Sequence, residues 1–174
     1  MATLAGDALL NYAFEIMLKE SIGKSNPDRR LKAIYEIARG AGIYGMIGGQ
    51  VVDIESEDKS IEKEKLDFIH MNKTAAMIVG CMRAGAIIGD ATEEDLQNIT
   101  RYAKNIGLAF QIVDDILDIV GDEKILGKPV GSDLENHKST YPTLIGLEKS
   151  RKVAKDLIEE AKDSIRKISG ISAF

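Results

Sequence analysis

The stretch FQIVDDILDIVGD, Phe110 to Asp122, has the apolar content of a buried helix, yet it carries aspartate at 114, 115, 118 and 122. On a helical wheel turning about 100° per residue, Gln111, Asp114, Asp115, Asp118 and Asp122 share a stripe roughly 100° wide. Leu108, Ala109, Ile112, Val113, Ile116, Leu117, Ile119 and Val120 cover most of the rest. A solvated helix shows the reverse balance. The pattern therefore predicts a helix surrounded by protein on most sides, with its acidic stripe facing a cleft. Like charges one turn apart repel by on the order of a few kcal/mol at an effective dielectric near 20, so cations are needed to offset them. Asp114 and Asp118 are four residues apart with Asp115 beside them, so their oxygens can converge on a hard cation. Mg²⁺ suits carboxylate oxygens, keeps several waters and bridges to phosphates; Mn²⁺ accepts the same donors. The competing reading is a solvated stripe on a peripheral helix.

Outward from that helix, the chain reads as helices throughout. It has 174 residues, 44% hydrophobic and 29% charged, with 3 prolines, which suits one globular helical domain over residues 1–174. Thr3 to Glu20 places Leu9, Leu10, Ala13, Phe14 and Met17 on one stripe. Asn26-Pro27 is a cap followed by a first-turn proline, predicting a long helix to about Ile54. Ser60 opens another, and an apolar helix from Lys73 to Ile88 follows it directly or after a kink. Thr92 to Asp95, TEED, reads as a capping box for a helix ending near Val120. GDEKILGKPVGSDLENHKST, residues 121–140, is a loop long enough to suggest function. From Pro142 the chain is helical again.

Composition also excludes. The net charge of −5 offers no basic surface for nucleic acid. The apolar run from Thr74 to Gly89 is broken by Arg83 and is short of the roughly 20 residues of a membrane span. The single cysteine, Cys81, lies in an apolar run and has no partner within the chain, which predicts a buried, reduced thiol. That thiol and the lack of a visible signal peptide fit a cytoplasmic location.

Other polar residues converge on the same chemistry. Lys73-Thr74 begins an otherwise apolar helix. Such a lysine either snorkels to solvent or, beside a metal cleft, contacts phosphate. GMIGGQVVD, Gly45 to Asp53, puts three glycines into a helix. Close packing accounts for Gly45 and Gly48, while Gln50 and Asp53 can reach the cleft. Lys128 and Lys138 lie just past the acidic helix. They are either an ordinary basic loop or anion contacts, with Lys138 close before a helix start that favours anions.

GDALLNYAFE, GMIGGQVVD, HMNKTA, GLAFQIVDDILDIVGD and GKPVGSDLENHKSTYP occur here in the order seen in short-chain trans-prenyl diphosphate synthases. The chain resembles that family, which includes farnesyl and geranylgeranyl diphosphate synthases, over nearly its whole length. The resemblance implies an all-α isoprenoid-synthase helical bundle with a deep cavity, acting as a homodimer through its first two helices. It implies that Asp114, Asp115 and Asp118 bind Mg²⁺ bridging to an allylic diphosphate. Lys73, Thr74, Gln111 and Lys128 match positions near that diphosphate, and Lys138 matches a lysine of the closing loop. The chemistry implied is metal-assisted departure of diphosphate, attack by isopentenyl diphosphate and loss of a proton. No Ser-His-Asp or Cys-His group is needed, and none is found; His70 and His137 are the only histidines.

In that family GDALL follows a first aspartate-rich motif, which residues 1–174 do not contain. The expectation is a C-terminal part of a prenyltransferase, inactive alone. The alternative is a non-catalytic helical subunit or interaction fragment on the same scaffold. The retained Asp, Lys and Gln set favours the first; the missing motif is what the second would show.

Overall fold

Helix is the only regular structure among the residues that the computed structural model describes, which are 1–122, 127, 131 and 138–168. In chain order the helices are α1 (Ala2–Lys19), α2 (Pro27–Ala41), α3 (Met46–Glu55), α4 (Lys63–His70), a π-helical turn (Met71–Ala75), α5 (Ala76–Ile88), α6 (Glu93–Val120), α7 (Tyr141–Ile145) and α8 (Leu147–Ile165). None is long and apolar enough to cross a membrane.

The 28-residue helix α6 is the axis. Its first turn is capped by Thr92, whose hydroxyl oxygen accepts from the Asp95 amide at 3.1 Å and donates to the Asp95 carboxylate at 2.8 Å. The reciprocal half of the expected capping box thus runs between side chains. Helix α8 packs along one side of α6, and α5 with the π turn along another. Gly107 permits the second approach: a Cβ there would lie 2.5 Å from that of Ala75. The apolar core joins Ile112 and Ile116 of α6 to Leu66 and Ile69 of α4, Ile61, Tyr141 and Ala154.

Two expected helices are divided. The helix starting at Pro27 stops at Ala41, because Gly42 is extended, and resumes at Met46. Gly45 and Gly48 serve this break: a Cβ on either would meet the carbonyl oxygen of Gly40 or Ile43 at 2.2 Å. Gly45 ends the turn against the last residues of α2, and Gly48, inside α3, lies against Ile43 of the turn, so the expected close packing of both is local to this break rather than along two helices. The final helical region divides at Gly146, whose φ of +86° suits glycine. Its start is set by a capping box that the sequence reading missed, between Thr140 and Thr143.

The surroundings of α6 also differ from expectation. Asp115 and Asp118 are 7% and 4% exposed, whereas Phe110 is 58% exposed and Val120 46%. The middle of the acidic stripe is thus buried, Gln111 and Asp114 are half-buried, and part of the apolar flank is open. Helix α1 contributes no buried residue at all. Cys81, expected to be buried, is exposed, because it falls outside the face of α5 that carries Gly80 and Ala84, the buried residues of that helix.

Candidate active site

Gly49 sets the geometry of the site. A Cβ at this position would lie 2.2 Å from the backbone nitrogen of Lys73, so only glycine lets α3 touch the π turn. Asp53 lies one helical turn beyond Gly49 on the same face. The contact therefore delivers the Asp53 carboxylate to the Lys73 ammonium, and the two pair at 2.7 Å. Lys138, from a distant part of the sequence, reaches the same Asp53 oxygen at 3.7 Å. The π turn that carries Lys73 and Thr74 replaces the kink left open by the sequence; such turns are frequent at functional sites.

These groups line a cavity of about 110 Å³ with His70, Gln111, Asp114, Asp115, Ser139 and Thr140, over the apolar floor of Leu66 and Ile69. Of the residues singled out from sequence, Lys73, Gln111, Asp114, Asp115 and Lys138 come together here. Gln50 and Thr74 are half-buried and do not line this cavity, nor does the buried Asp118. Lys128 lies outside the described residues.

Asp115 does more than face the cavity. Its Oδ2 accepts from the Tyr141 backbone N–H at 2.9 Å and lies 3.2 Å from His70 Nε2. A carboxylate only accepts, so that nitrogen carries the proton. His70 Nδ1 is buried without a hydrogen-bond partner among the described residues. The imidazole stacks on the Tyr141 ring with centroids 5.8 Å apart, and the Tyr141 hydroxyl donates to Asp67. Burial, then the Asp67 carboxylate, push the Tyr141 phenol far above its ordinary pKa, so it remains a donor. Lys63 pairs with Asp67 at 2.6 Å. This network joins α4, α6 and the start of α7. Ser139 adds a tie, accepting from the Ile61 N–H and donating to the Lys59 carbonyl, both at 3.3 Å.

Among the described residues no three His, Cys, Asp or Glu side chains gather closely enough to hold a metal alone. The convergence expected of all three aspartates is altered because one oxygen of Asp115 is committed to His70 and Tyr141. Mg²⁺ does not require such a cage: it is held by one or two carboxylates plus phosphate oxygens. A cavity wall with Asp114 beside two lysines fits a cation that arrives with a phosphate.

Residues 1–172 match the sequence profile of the polyprenyl synthetase family. The chain is similar to the geranylgeranyl diphosphate synthase of Cyanophora paradoxa, 47% identical over 167 residues, covering 95% of this chain and 55% of that protein. It is similar to the farnesyl diphosphate synthase of Bacillus subtilis, 43% identical over 171 residues, covering 98% and 57%. A solved structure of the Helicobacter pylori geranyltransferase, complexed with magnesium and isoprenyl diphosphate, superposes with a TM-score of 0.81 at 31% identity, covering 94% of this chain and 52% of that one. The chain thus spans about half the length of the curated relatives it matches.

Proposed function

Because this chain belongs to the polyprenyl synthetase family, we propose that it supplies the diphosphate-holding half of a prenyl diphosphate synthase site. The reaction is condensation of isopentenyl diphosphate with an allylic diphosphate, dimethylallyl or geranyl, to farnesyl or geranylgeranyl diphosphate. One observation carries the reading. Lys73, Lys138, Gln111 and Asp114 come from three separate segments and meet at one cavity. Two ammoniums and an amide donor beside a carboxylate suit a phosphate-bound cation.

Lys73 and Lys138 donate to the diphosphate oxygens and Gln111 adds an amide hydrogen bond. Thr74, next to Lys73 in sequence but not on the cavity wall, and Lys128 are assigned to the same diphosphate on the resemblance alone. Asp114 would hold Mg²⁺ or Mn²⁺ at the cavity, with Asp115 contributing through its second oxygen; Asp118, which does not line the cavity, is assigned to the metal on the resemblance alone. When bound, the metal neutralises charge that builds on the departing diphosphate. The H. pylori relative, complexed with magnesium and isoprenyl diphosphate, supports this assignment.

Calorimetry tests it. Mg²⁺ alone should bind weakly, and Mg²⁺ with pyrophosphate more tightly. Lys73→Gln and Asp114→Asn should each weaken the second titration roughly tenfold or more, the loss expected for a charge-assisted contact. Unchanged affinity in both variants would remove the site.

The same chain is proposed to form a two-fold homodimer through α1 and α2. In support, Leu9, Tyr12 and Ile16 share one side of α1 and are exposed, as at an interaction site between copies. Light scattering should give twice the 19.0 kDa chain mass. A monodisperse species at 19.0 kDa would refute the interface.

A further inference from the structure

We propose that Asp53 is a built-in stand-in for the diphosphate, a positioning residue that makes diphosphate binding depend on metal. The inference rests on the function proposed above. One oxygen of Asp53 is shared by Lys73, at 2.7 Å, and Lys138, at 3.7 Å. Those are the two described cations of the cavity, and both lie on it. The Asp53 side chain is 16% exposed, so the pairing is partly shielded from solvent. Its geometry is held from both sides: the Gly49 contact fixes the distance from α3 to Lys73, and Ser139 ties the segment beside Lys138 to residues 59–61.

Consider what an incoming diphosphate meets. A metal-free polyanion must take the lysines from Asp53 and then lie against that released, partly shielded carboxylate, and both effects disfavour it. A diphosphate carrying divalent cations reverses the balance, because the cations screen the carboxylates while the phosphate oxygens replace the Asp53 oxygen on the lysines. Asp53 thus keeps the ammoniums oriented when no substrate is bound and rejects unmetallated diphosphate.

The test is calorimetry of pyrophosphate in EDTA and in Mg²⁺. In EDTA, Asp53→Asn should bind pyrophosphate at least about tenfold more tightly than the wild-type chain, ~1.4 kcal/mol by the thermal conversion. The ratio of affinity with Mg²⁺ to affinity without should shrink accordingly. Asp53→Ser serves if the amide variant does not fold. Glu57→Gln, the same charge change one turn further along without a lysine contact, should show no gain. Asp53→Asn combined with Lys73→Gln should lose the gain. No gain in either Asp53 variant overturns the proposal. So does an equal gain in Glu57→Gln, or a gain that survives loss of Lys73, since either makes the effect one of net charge. A wild-type chain that fails to bind pyrophosphate even with Mg²⁺ refutes the function proposed above, and the EDTA comparison still decides the role of Asp53.

Discussion

Gly49→Ala is expected to unfold the site and lower the stability of the chain. The added methyl would lie 2.2 Å from the Lys73 nitrogen, 2.7 Å from its Cα and 2.8 Å from the Asn72 carbonyl carbon. All three atoms are backbone, and the backbone in question is the π turn, so no side chain can swing aside. Either α3 lifts or the turn shifts. Overpacking of this kind costs about 3 kcal/mol, at the upper end of its usual range. In a chain this size that lowers the melting temperature by roughly 6–12 °C. Moving α3 also pulls Asp53 from Lys73, so pyrophosphate binding changes with stability. Gly85→Ala is the matched control. Gly85 is helical and exposed, and nothing lies within 4 Å of its would-be Cβ. Alanine there should gain up to ~1 kcal/mol from helix propensity. Thermal unfolding of the two variants checks both signs. A Gly49→Ala chain as stable as the Gly85→Ala chain would show that α3 does not seat on the π turn.

The contrast between those glycines shows what a sequence can display. The helical periods of α1, α5 and α6 are local properties, and the helix starts at Pro27 and Thr92 are visible within four residues, although Asn26 makes no side-chain cap. The acidic stripe on α6 was legible for the same reason. What a glycine touches is not local: nothing in GMIGGQ distinguishes Gly49, which meets Lys73, from Gly48, which meets Ile43. Asp53 was recognised as able to reach the cleft, but its two lysines stand 20 and 85 residues further along the chain. His70 was passed over because its neighbours in sequence, Ile69 and Met71, give it no role; its partner Asp115 is 45 residues away. The wheel put Asp114, Asp115 and Asp118 on one stripe, but it could not tell that Asp114 and Asp115 line the cavity while Asp118 does not. The capping box at Thr140 had a readable signal in Thr-x-x-Thr. It departs from the more familiar Glu or Gln at the third helical position.

Asp115→Ala should separate the two uses of the aspartate stripe. Alanine leaves the Tyr141 N–H and His70 Nε2 without their acceptor, and Tyr141 and His70 are 1% and 5% exposed. A buried polar group stripped of its partner costs about 1–3 kcal/mol, so the two together cost roughly 2–6 kcal/mol, a large share of a domain's total stability. The start of α7 should release first, because the Tyr141 amide is what fastens it to α6. Amide hydrogen exchange reads this directly. Tyr141 should lose its protection, while Ile112, inside the regular hydrogen-bonding of α6 and 0% exposed, should retain more of its own. Asp115→Asn keeps an oxygen acceptor of the same reach, so it should recover most of the Tyr141 protection and lose closer to 1 kcal/mol. If the carboxylate mattered only as a cation ligand, the alanine and asparagine variants would be equally stable and Tyr141 would exchange as slowly in both as in the wild-type chain. That outcome would refute the joining of α6 to α7 through Asp115. The opposite outcome places a carboxylate of the stripe within the fold itself, so that the helix which presents Asp114 to the cavity is held in register by its neighbour in sequence.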